Sequence, residues 1–222
     1  LVSGDPIGPR AALPGLLGEL CGFAEARGLA IGVLGASEEL AELAAAAGFG
    51  SFYIGDEAIV DLAAFSLEGR SIRKVRQAVT RARKAGYTAT VQRMGDLSEG
   101  ALRELEDLSE RWRGDEPERG FSMAIDSLRG EHLSESLVVV ARDAEGAARG
   151  FLHFAPCYGR AAMSLGLMRR DRDTVNGLTE YLVVSAIEML RERGVEEISL
   201  NFAAFARLLR DPNGLGERAL GR

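Results

Sequence analysis

The sequence is poor in the residues that build metal centres and disulfide bonds. Its 222 residues include only two cysteines, Cys21 and Cys157, two histidines, His132 and His153, and one tryptophan. The cysteines lie far apart and form no Cys-x-x-Cys pair, so two reduced thiols are the simplest interpretation. The four Cys and His residues match no familiar spacing of zinc ligands. We therefore expect no structural metal, and we predict no cofactor.

Long hydrophobic runs are also missing. No window of eighteen or more apolar residues occurs, so we expect no membrane-spanning helix in this sequence. The first ten residues contain Gly, Asp and Pro in place of the charged and then apolar run of a signal peptide. The sequence starts with Leu1 and ends in Gly-Glu-Arg-Ala-Leu-Gly-Arg. We expect it to be a piece of a longer chain, truncated at its C-terminus.

Acidic residues are absent from the stretch between Gly69 and Gly95. The whole chain has a net charge of −6, with 33 acidic residues against 27 lysines and arginines. This stretch holds a cluster of the cations and none of the acids, which makes it a local positive region on an acidic protein. Its cations are Arg70, Arg73, Lys74, Arg76, Arg81, Arg83, Lys84 and Arg93.

A helix is predicted within this stretch, over residues 71–85. Ile72, Val75 and Val79 follow one another at spacings of three and four and form one apolar stripe. Cations in the first turn lie beside free backbone N–H groups, and an arriving phosphate would meet both. We predict contact with a phosphate backbone or with lipid headgroups; the alternative is a solvated basic face. The predicted phosphate-binding residues are Arg70, Arg73, Lys74, Arg76, Arg81, Arg83 and Lys84.

Two sections that each mix helix and strand flank the basic helix. In the first, residues 1–68, the predicted elements are helices over residues 13–27 and 37–47 and strands over residues 29–34, 52–54 and 58–62, the last two around a Gly55-Asp56 turn. The second section covers residues 87–222. Its predicted helices lie over residues 98–113 and over residues 178–193, the latter capped by Asn176. Its predicted strands are a hairpin over residues 137–142 and 150–155, followed by strands over residues 161–168 and 198–202.

The element order of the second section is that of the GNAT acyltransferase fold: a helix, a meander, and then a strand–helix–strand unit. The first section could be a shortened copy of it, although no sequence repeat supports a duplication. We therefore predict an α/β fold with tandem GNAT-like halves, residues 1–68 and 87–222, joined by the basic helix of residues 69–86.

Candidate site residues occur in two places in the second section. Glu118-Arg119-Gly120-Phe121-Ser122 predicts either a turn that faces a cleft or an ordinary surface loop. Residues 167–177 lead from a strand end into a helix N-terminus, where ligands of α/β sheets usually bind. Glu180, in the first turn of that helix, either stabilises the helix dipole or contacts substrate. His153 alternates with apolar neighbours, which favours a core histidine over a catalytic base.

An ordinary acyl-CoA-dependent GNAT enzyme is disfavoured. Such enzymes hold pyrophosphate on an Arg/Gln-x-x-Gly-x-Gly/Ala loop at a helix N-terminus. The corresponding residues here, 171–177, lack that glycine pattern and carry Asp171 and Asp173. Carboxylates at that place would repel the pyrophosphate.

Several separate motifs are spread across nearly the whole chain. They are Ser3-Gly4-Asp5-Pro6, Gly55-Asp56-Glu57-Ala58 with Asp61-Leu62, Phe65-Ser66-Leu67, residues 70–87, Glu118-Arg119-Gly120-Phe121-Ser122, Leu167-Met168-Arg169, Asn176-Gly177 with Glu180, and Ser199-Leu200-Asn201-Phe202. In residues and in order these motifs resemble the phosphatidylglycerol lysyltransferase family, the C-terminal part of multiple peptide resistance factors, and are closest to actinobacterial members.

The resemblance implies an enzyme that transfers a lysyl group from lysyl-tRNA to the glycerol hydroxyl of phosphatidylglycerol. It implies work at the cytoplasmic face of the cell membrane, in a protein whose transmembrane region lies outside this sequence. The basic helix would contact tRNA or lipid phosphates. The implied catalytic residues are Glu118, Arg169 and Glu180, and the implied substrate-binding residues are Phe121, Ser122, Asn176 and Asn201.

One position departs from the family pattern. The family usually has an aspartate where this chain has Gly166, which removes either a partner for the aminoacyl ammonium group or a proton acceptor. Two alternatives therefore stay open. The first is transfer from aminoacyl-tRNA to a different acceptor, and the second is a domain that binds tRNA or anionic lipid without turnover.

Overall fold

A computed structural model describes residues 1–115 and 128–204 of the chain. The contacts between residues divide them into two compact units, one formed by Leu1–Asp56 and the other by Glu57–Phe202. The basic helix belongs to the second unit. The interpretation of the first section as a second GNAT-like half stays a prediction.

The first unit contains two short strands and two helices. Strand β1 (Val2–Ser3) pairs in parallel with β2 (Val33–Leu34), and helices α1 (Leu13–Glu25) and α2 (Glu38–Ala46) are interspersed with them. Helix α2 begins at Ser37, whose hydroxyl oxygen accepts a hydrogen bond from the N–H of Leu40. Both predicted helices are confirmed.

The second unit is built on a six-stranded sheet in the order β3-β8-β7-β6-β5-β4. The strands are β3 (Gly55–Asp61), β4 (Thr88–Arg93), β5 (Leu137–Arg142), β6 (Ala148–Cys157), β7 (Ala162–Arg170) and β8 (Glu197–Ala204). Pairing is antiparallel from β4 to β7 and parallel between β7 and β8. Its helices are α3 (Arg73–Lys84), α4 (Glu99–Arg113) and α5 (Leu178–Arg191). The α/β fold class and the GNAT-like element order are confirmed.

Each face of this sheet is covered by helix. Leu152 and Phe154 of β6 belong to a core that includes buried residues of α3 and α5, such as Val79 and Ile187. Phe151 belongs instead to a second core that includes buried residues of α4. Side chains alternate between the two faces of a strand, which explains why Phe151 and Leu152, neighbours in the sequence of β6, are both apolar and buried. A strand buried on both faces holds its backbone in place, and the ends of β6 and β7 are therefore well suited to position a site.

The structure corrects four local predictions. The strand predicted over residues 29–34 is limited to Val33–Leu34. Residues 52–54 form no strand, and Gly55-Asp56 begin β3 rather than a turn between two strands. Strand β4 was not predicted, because its polar Thr and Gln residues alternate with only two apolar ones. The N-cap of α5 is Gly177 with a φ of 98°, and Asn176 lies one residue outside and makes no side-chain cap. The apolar run of residues 52–54 was mistaken for a strand because the sequence does not show whether a neighbouring strand is there to pair with it. Strand β4 was missed because it lies at the edge of the sheet, where a strand needs few apolar residues.

Candidate functional site

The parallel strands β7 and β8 separate near the middle of the sheet. Their pairing covers only three residues of each strand, from Ala162 opposite Glu197 to Ser164 opposite Ser199. Both strands continue beyond this point, β7 to Arg170 and β8 to Ala204. Leu200 and Asn201 make no ladder pair with β7. The sheet therefore opens into a cleft between the two strands, which we call the β7–β8 cleft.

Asn201 lies at the start of this cleft in a left-handed conformation, with a φ of 73°. Its side-chain nitrogen donates to the carbonyl oxygen of Leu165 at 3.0 Å, and its side-chain oxygen accepts from the N–H of Phe202 at 2.7 Å. Its own backbone N–H donates to the hydroxyl of Ser199 at 3.0 Å. Both ends of the side-chain amide are thus bonded to the protein backbone. Asn201 was predicted to bind substrate, and this role stays a prediction.

Gly166 lies on β7 beside the cleft, at a β-bulge. His153 of β6 faces Leu167 and the next residue, Phe154, faces Leu165, so that Gly166 has no residue opposite it. Continuing the β7–β8 register past Ser164 and Ser199 would bring Gly166 beside Asn201. Sequence reasoning found Gly166 through its departure from the family pattern and missed the bulge. A bulge leaves no periodic signal within a strand of nine residues.

The N-terminus of α5 lies directly against α3. The side chain of Arg81 donates from Nε to the carbonyl oxygen of Asn176 at 2.8 Å. A Cβ atom added to Gly177 would lie 2.5 Å from the Cβ of Ala78. The two helices therefore meet at a glycine, with a guanidinium beside it. This contact places one predicted phosphate-binding residue, Arg81, next to one predicted substrate-binding residue, Asn176.

The seven predicted phosphate-binding residues fall into two groups. Three of them hold protein groups: Arg76 donates to the carbonyls of Leu67 and Gly69, Arg81 to that of Asn176, and Arg83 forms an ion pair with Glu188 at 3.0 Å. The side chains of the other four make no hydrogen bond or ion pair with the described residues. They are Arg70, Arg73, Lys74 and Lys84.

A groove of about 440 Å³ runs along the outer side of α3. It is lined by Arg76, Gln77, Thr80, Arg81 and Lys84. These residues recur at the spacing of one helix face, and three of the five are cations. The groove offers an anion both charge and hydrogen-bond donors.

Arg169 lies on the face of the sheet that α4 covers, and its side chain is largely buried. Its Nε donates to the hydroxyl of Ser109 at 3.3 Å, and its guanidinium carbon lies 4.0 Å from the centre of the Trp112 ring. Such a cation–π contact orients the guanidinium plane. The predicted catalytic role of Arg169 is untested, and the contacts show a residue that joins the end of β7 to the last turns of α4.

Asp171 is the centre of a neighbouring charge cluster. Its carboxylate accepts from Nε of Arg111 at 2.9 Å and lies 3.4 Å from a guanidinium nitrogen of Arg149. The hydrogen bond to Asp171 raises the pKa of Arg111. The carboxylate is nearly buried and engaged by two cations, so its charge is largely balanced within the protein. A phosphate at this loop is therefore disfavoured by Asp173 more than by Asp171.

His153 is fully buried in β6, and neither ring nitrogen has a hydrogen-bond partner in the described part of the chain. Burial lowers the pKa of its imidazole to about 4. The ring is therefore neutral near pH 7. This agrees with the interpretation of His153 as a core residue.

The remaining predicted site residues are placed as follows. Glu118, Phe121 and Ser122 lie outside the described residues. Glu180 is exposed in the first turn of α5, and Asn176 is exposed just before that helix. Among the described residues, no group of three or more Cys, His, Asp or Glu side chains could hold a metal ion.

Known proteins match this chain over most of its length. Residues 1–222 match the family described as phosphatidylglycerol lysyltransferase, C-terminal. The lysylphosphatidylglycerol biosynthesis bifunctional protein LysX of Gordonia bronchialis is 37% identical over 92% of this chain and 18% of its own length. LysX of Mycobacterium avium is 38% identical over 100% of this chain and 19% of its own length. The chain thus spans about a fifth of these relatives.

A solved structure shares the fold. The structure of L-PGS from Bacillus licheniformis superimposes with a TM-score of 0.82 and 26% sequence identity, covering 92% of this chain and 62% of that one. Family, relatives and solved structure agree with the resemblance seen in the sequence motifs, which is thereby confirmed. The chain belongs to the phosphatidylglycerol lysyltransferase C-terminal family.

Proposed function

We propose that this chain transfers an aminoacyl group, most simply lysyl, from aminoacyl-tRNA to a hydroxyl of phosphatidylglycerol. The observation that carries the proposal is the family match over residues 1–222. The β7–β8 cleft supports it, because it provides a gap in a rigid sheet where an ester could be held. The relatives named for lysylphosphatidylglycerol biosynthesis support lysine as the transferred amino acid.

The reaction is an exchange of esters. A glycerol hydroxyl oxygen of the lipid forms a bond to the aminoacyl carbonyl carbon, and the bond from that carbon to the terminal ribose oxygen of tRNA breaks. The proton leaves the attacking hydroxyl and ends on the ribose oxygen. The ester is already activated, so the protein needs chiefly to align the two substrates and to stabilise the developing negative charge.

The groove on α3 is the proposed contact for phosphates of the donor tRNA. Lys84 lines it and has no partner among the described residues, and Arg81 lies beside the N-terminus of α5. Arg76, Arg81 and Arg83 also fix the position of the helix through their protein contacts. Phosphate binding is therefore assigned chiefly to the four cations whose side chains hold no protein group. Lys84 lines the groove, and Arg70, Arg73 and Lys74 lie at the start of the helix, outside the groove lining.

The remaining predicted residues are proposed to surround the reacting groups. Asn176 and Glu180 flank the N-terminus of α5, and Arg169 lies at the end of β7. Glu118 keeps its proposed catalytic role, and Phe121 and Ser122 keep their proposed roles in binding substrate. The acceptor is a membrane lipid, so we propose that the chain works at the cytoplasmic face of the cell membrane. Over residues 1–115 and 128–204, no helix is long and apolar enough to cross a membrane.

The test uses the full-length protein, tRNA charged with radiolabelled lysine, and vesicles with and without phosphatidylglycerol. We expect label in the extracted lipid only when phosphatidylglycerol is present, and less label from alanyl-tRNA. Label on a different acceptor would show that the lysyl group is transferred to that molecule and not to phosphatidylglycerol. Binding of lysyl-tRNA without any transfer would show a binding domain and overturn the proposed activity.

A second arm examines the departure at Gly166. Restoring an aspartate by Gly166→Asp tests whether this position limits the reaction. More lysyl transfer to phosphatidylglycerol would indicate that the natural chain has a weakened site for this acceptor. Unchanged transfer would show that the carboxylate is dispensable.

A further inference from the structure

The amide of Asn201 occupies a place in the sheet that a backbone group would normally fill. In the parallel register that joins Ser164 to Ser199, the N–H of residue 201 would be the next donor to the Leu165 carbonyl. Here the side-chain nitrogen of Asn201 makes that bond, and the backbone N–H turns to the Ser199 hydroxyl. The ladder thus ends on a side chain instead of continuing.

The backbone of Asn201 is held in the conformation that this exchange requires. Among the residues that the structure describes, Asn201 alone has a positive φ without being glycine. Asparagine tolerates the left-handed region better than most residues because its short side chain can bond locally, as it does here to the N–H of Phe202. Three hydrogen bonds therefore fix a strained residue at the point where β7 and β8 separate. Strain of this kind, held in place by its surroundings, clusters at functional sites.

The bulge at Gly166 acts at the same place from the other side of β7. It shifts the pairing with β6 by one residue directly beside Leu165, whose carbonyl Asn201 binds. The pairing of β7 with β6 shifts, and its pairing with β8 ends, within two residues of each other. Beyond this point the edge of β7 that faces β8 has no ladder partner at Leu200 or Asn201.

We propose that Asn201 is a positioning residue for acyl transfer, which keeps the β7–β8 cleft open by capping the Leu165 carbonyl. This rests on the proposed function, because the cleft is assigned to the aminoacyl ester of the donor. The side chain acts through the backbone of β7, because its amide nitrogen holds the Leu165 carbonyl and its amide oxygen holds the Phe202 N–H. Its role accordingly differs from the substrate contact expected from the sequence.

The experiment compares two substitutions of Asn201 with a control on the same strand. Asn201→Asp keeps an acceptor for the Phe202 N–H and loses the donor to Leu165. Asn201→Val favours an extended backbone and allows the ladder to continue. Glu197→Gln removes only an exposed ion pair with Arg160 at the start of β8 and serves as the control. Lysyl transfer gives kcat and KM, and hydrogen–deuterium exchange of residues 162–170 reports the cleft without substrate.

For both Asn201 variants we expect kcat to fall by about 100-fold while KM for lysyl-tRNA stays within about twofold, because misplacement of the reacting groups lowers the rate of the bound complex. In Asn201→Val, exchange beyond Leu165 should slow as β8 pairs with β7. The control should match the wild type in both measurements.

Two outcomes would overturn the proposal. If Asn201→Val keeps the wild-type kcat, the cleft does not depend on the amide. If kcat is lost while exchange on β7 is unchanged and KM rises, Asn201 binds the substrate directly. A wild-type protein without lysyl transfer would contradict the proposed function instead, and the exchange measurement would still decide whether Asn201 ends the pairing.

Discussion

The buried imidazole of His153 makes the fold sensitive to acid. Its pKa is about 4 in the folded chain because burial disfavours the charged ring, whereas an exposed histidine has a pKa near 6.5. Between these two values the unfolded chain binds a proton that the folded chain does not. Stability is therefore unaffected above about pH 6.5 and falls as the pH drops toward 4, by about 3 kcal/mol from this residue alone.

Replacing this ring tests the prediction. The free energy of unfolding of the wild type should fall between pH 7 and pH 4. In His153→Leu we expect this decrease to be smaller by about 3 kcal/mol. Urea titrations over that range provide the measurement. His132→Leu is the control, since His132 lies outside the sheet, in a short turn of helix before β5. Parallel pH curves for the wild type and His153→Leu would show that the ring is not the acid-sensitive group.

The carboxylate of Asp171 is expected to contribute to stability through Arg111 and Arg149. Asp171→Ala leaves both guanidinium groups without this acceptor, and we expect it to lower the free energy of unfolding by about 2 kcal/mol. Asp173→Ala is the matched control, because Arg149 contacts only the backbone carbonyl of that residue. Thermal unfolding of both variants tests this. Equal melting temperatures for the two would mean that the cluster adds no net stability.

At the scale of elements, the contact between α3 and α5 depends on the absence of a side chain at position 177. Gly177→Ala introduces a Cβ atom 2.5 Å from that of Ala78 in a residue with a φ of 98°. We expect a loss of about 3 kcal/mol, of which about 1 kcal/mol is backbone strain and the rest is steric overlap.

Gly194→Ala separates these two contributions. Gly194 also has a positive φ, of 79°, but a Cβ atom there would have no neighbour within 4 Å. We expect this variant to lose only about 1 kcal/mol. Denaturant unfolding of both variants gives the difference. If Gly194→Ala is as destabilising as Gly177→Ala, the tight approach of the two helices is not the cause.

Helices could be predicted from the sequence better than strands. The basic helix and α5 show apolar residues at helical spacing and end near Gly86 and Gly194, and both are confirmed. These signals are local. Strand β4 was missed because its membership of the sheet depends on β5, a partner more than forty residues away. Similarly, the amide of Asn201 could be recognised as a polar residue in an apolar strand, but its bond to Leu165 depends on register.

For the whole molecule, the separation of charge predicts how binding depends on salt. The chain is acidic overall, whereas α3 and the residues that flank it carry a run of cations without any acidic residue. If the groove on α3 binds tRNA, the logarithm of the affinity should fall linearly with the logarithm of the salt concentration. Each phosphate contact removed should reduce that slope by roughly 0.7 to 0.9.

Lys84→Gln tests this with one exposed cation of the groove. We expect weaker binding of lysyl-tRNA and a slope smaller in magnitude by roughly 0.7 to 0.9. Arg160→Gln is the matched control, because it removes one exposed cation from the turn between β6 and β7, where Arg160 pairs with Glu197. Filter binding over a salt series gives both slopes. Equal changes in the two variants would show a general charge effect in place of a groove contact.

The strand order also determines when the sheet can be completed during synthesis. Strands β4, β5, β6 and β7 follow one another in sequence, and each pairs with the next. The connection from β4 to β5 is the longest of the three and contains α4. All four strands are available once Arg170 has been made. Strand β3 is made much earlier, yet its neighbour in the sheet is β8, the last strand of the sheet in sequence. Long-range pairing of this kind slows folding. A nascent chain would therefore carry β3 as an unpaired strand until β8 emerges, and that interval is when chaperone binding would matter most.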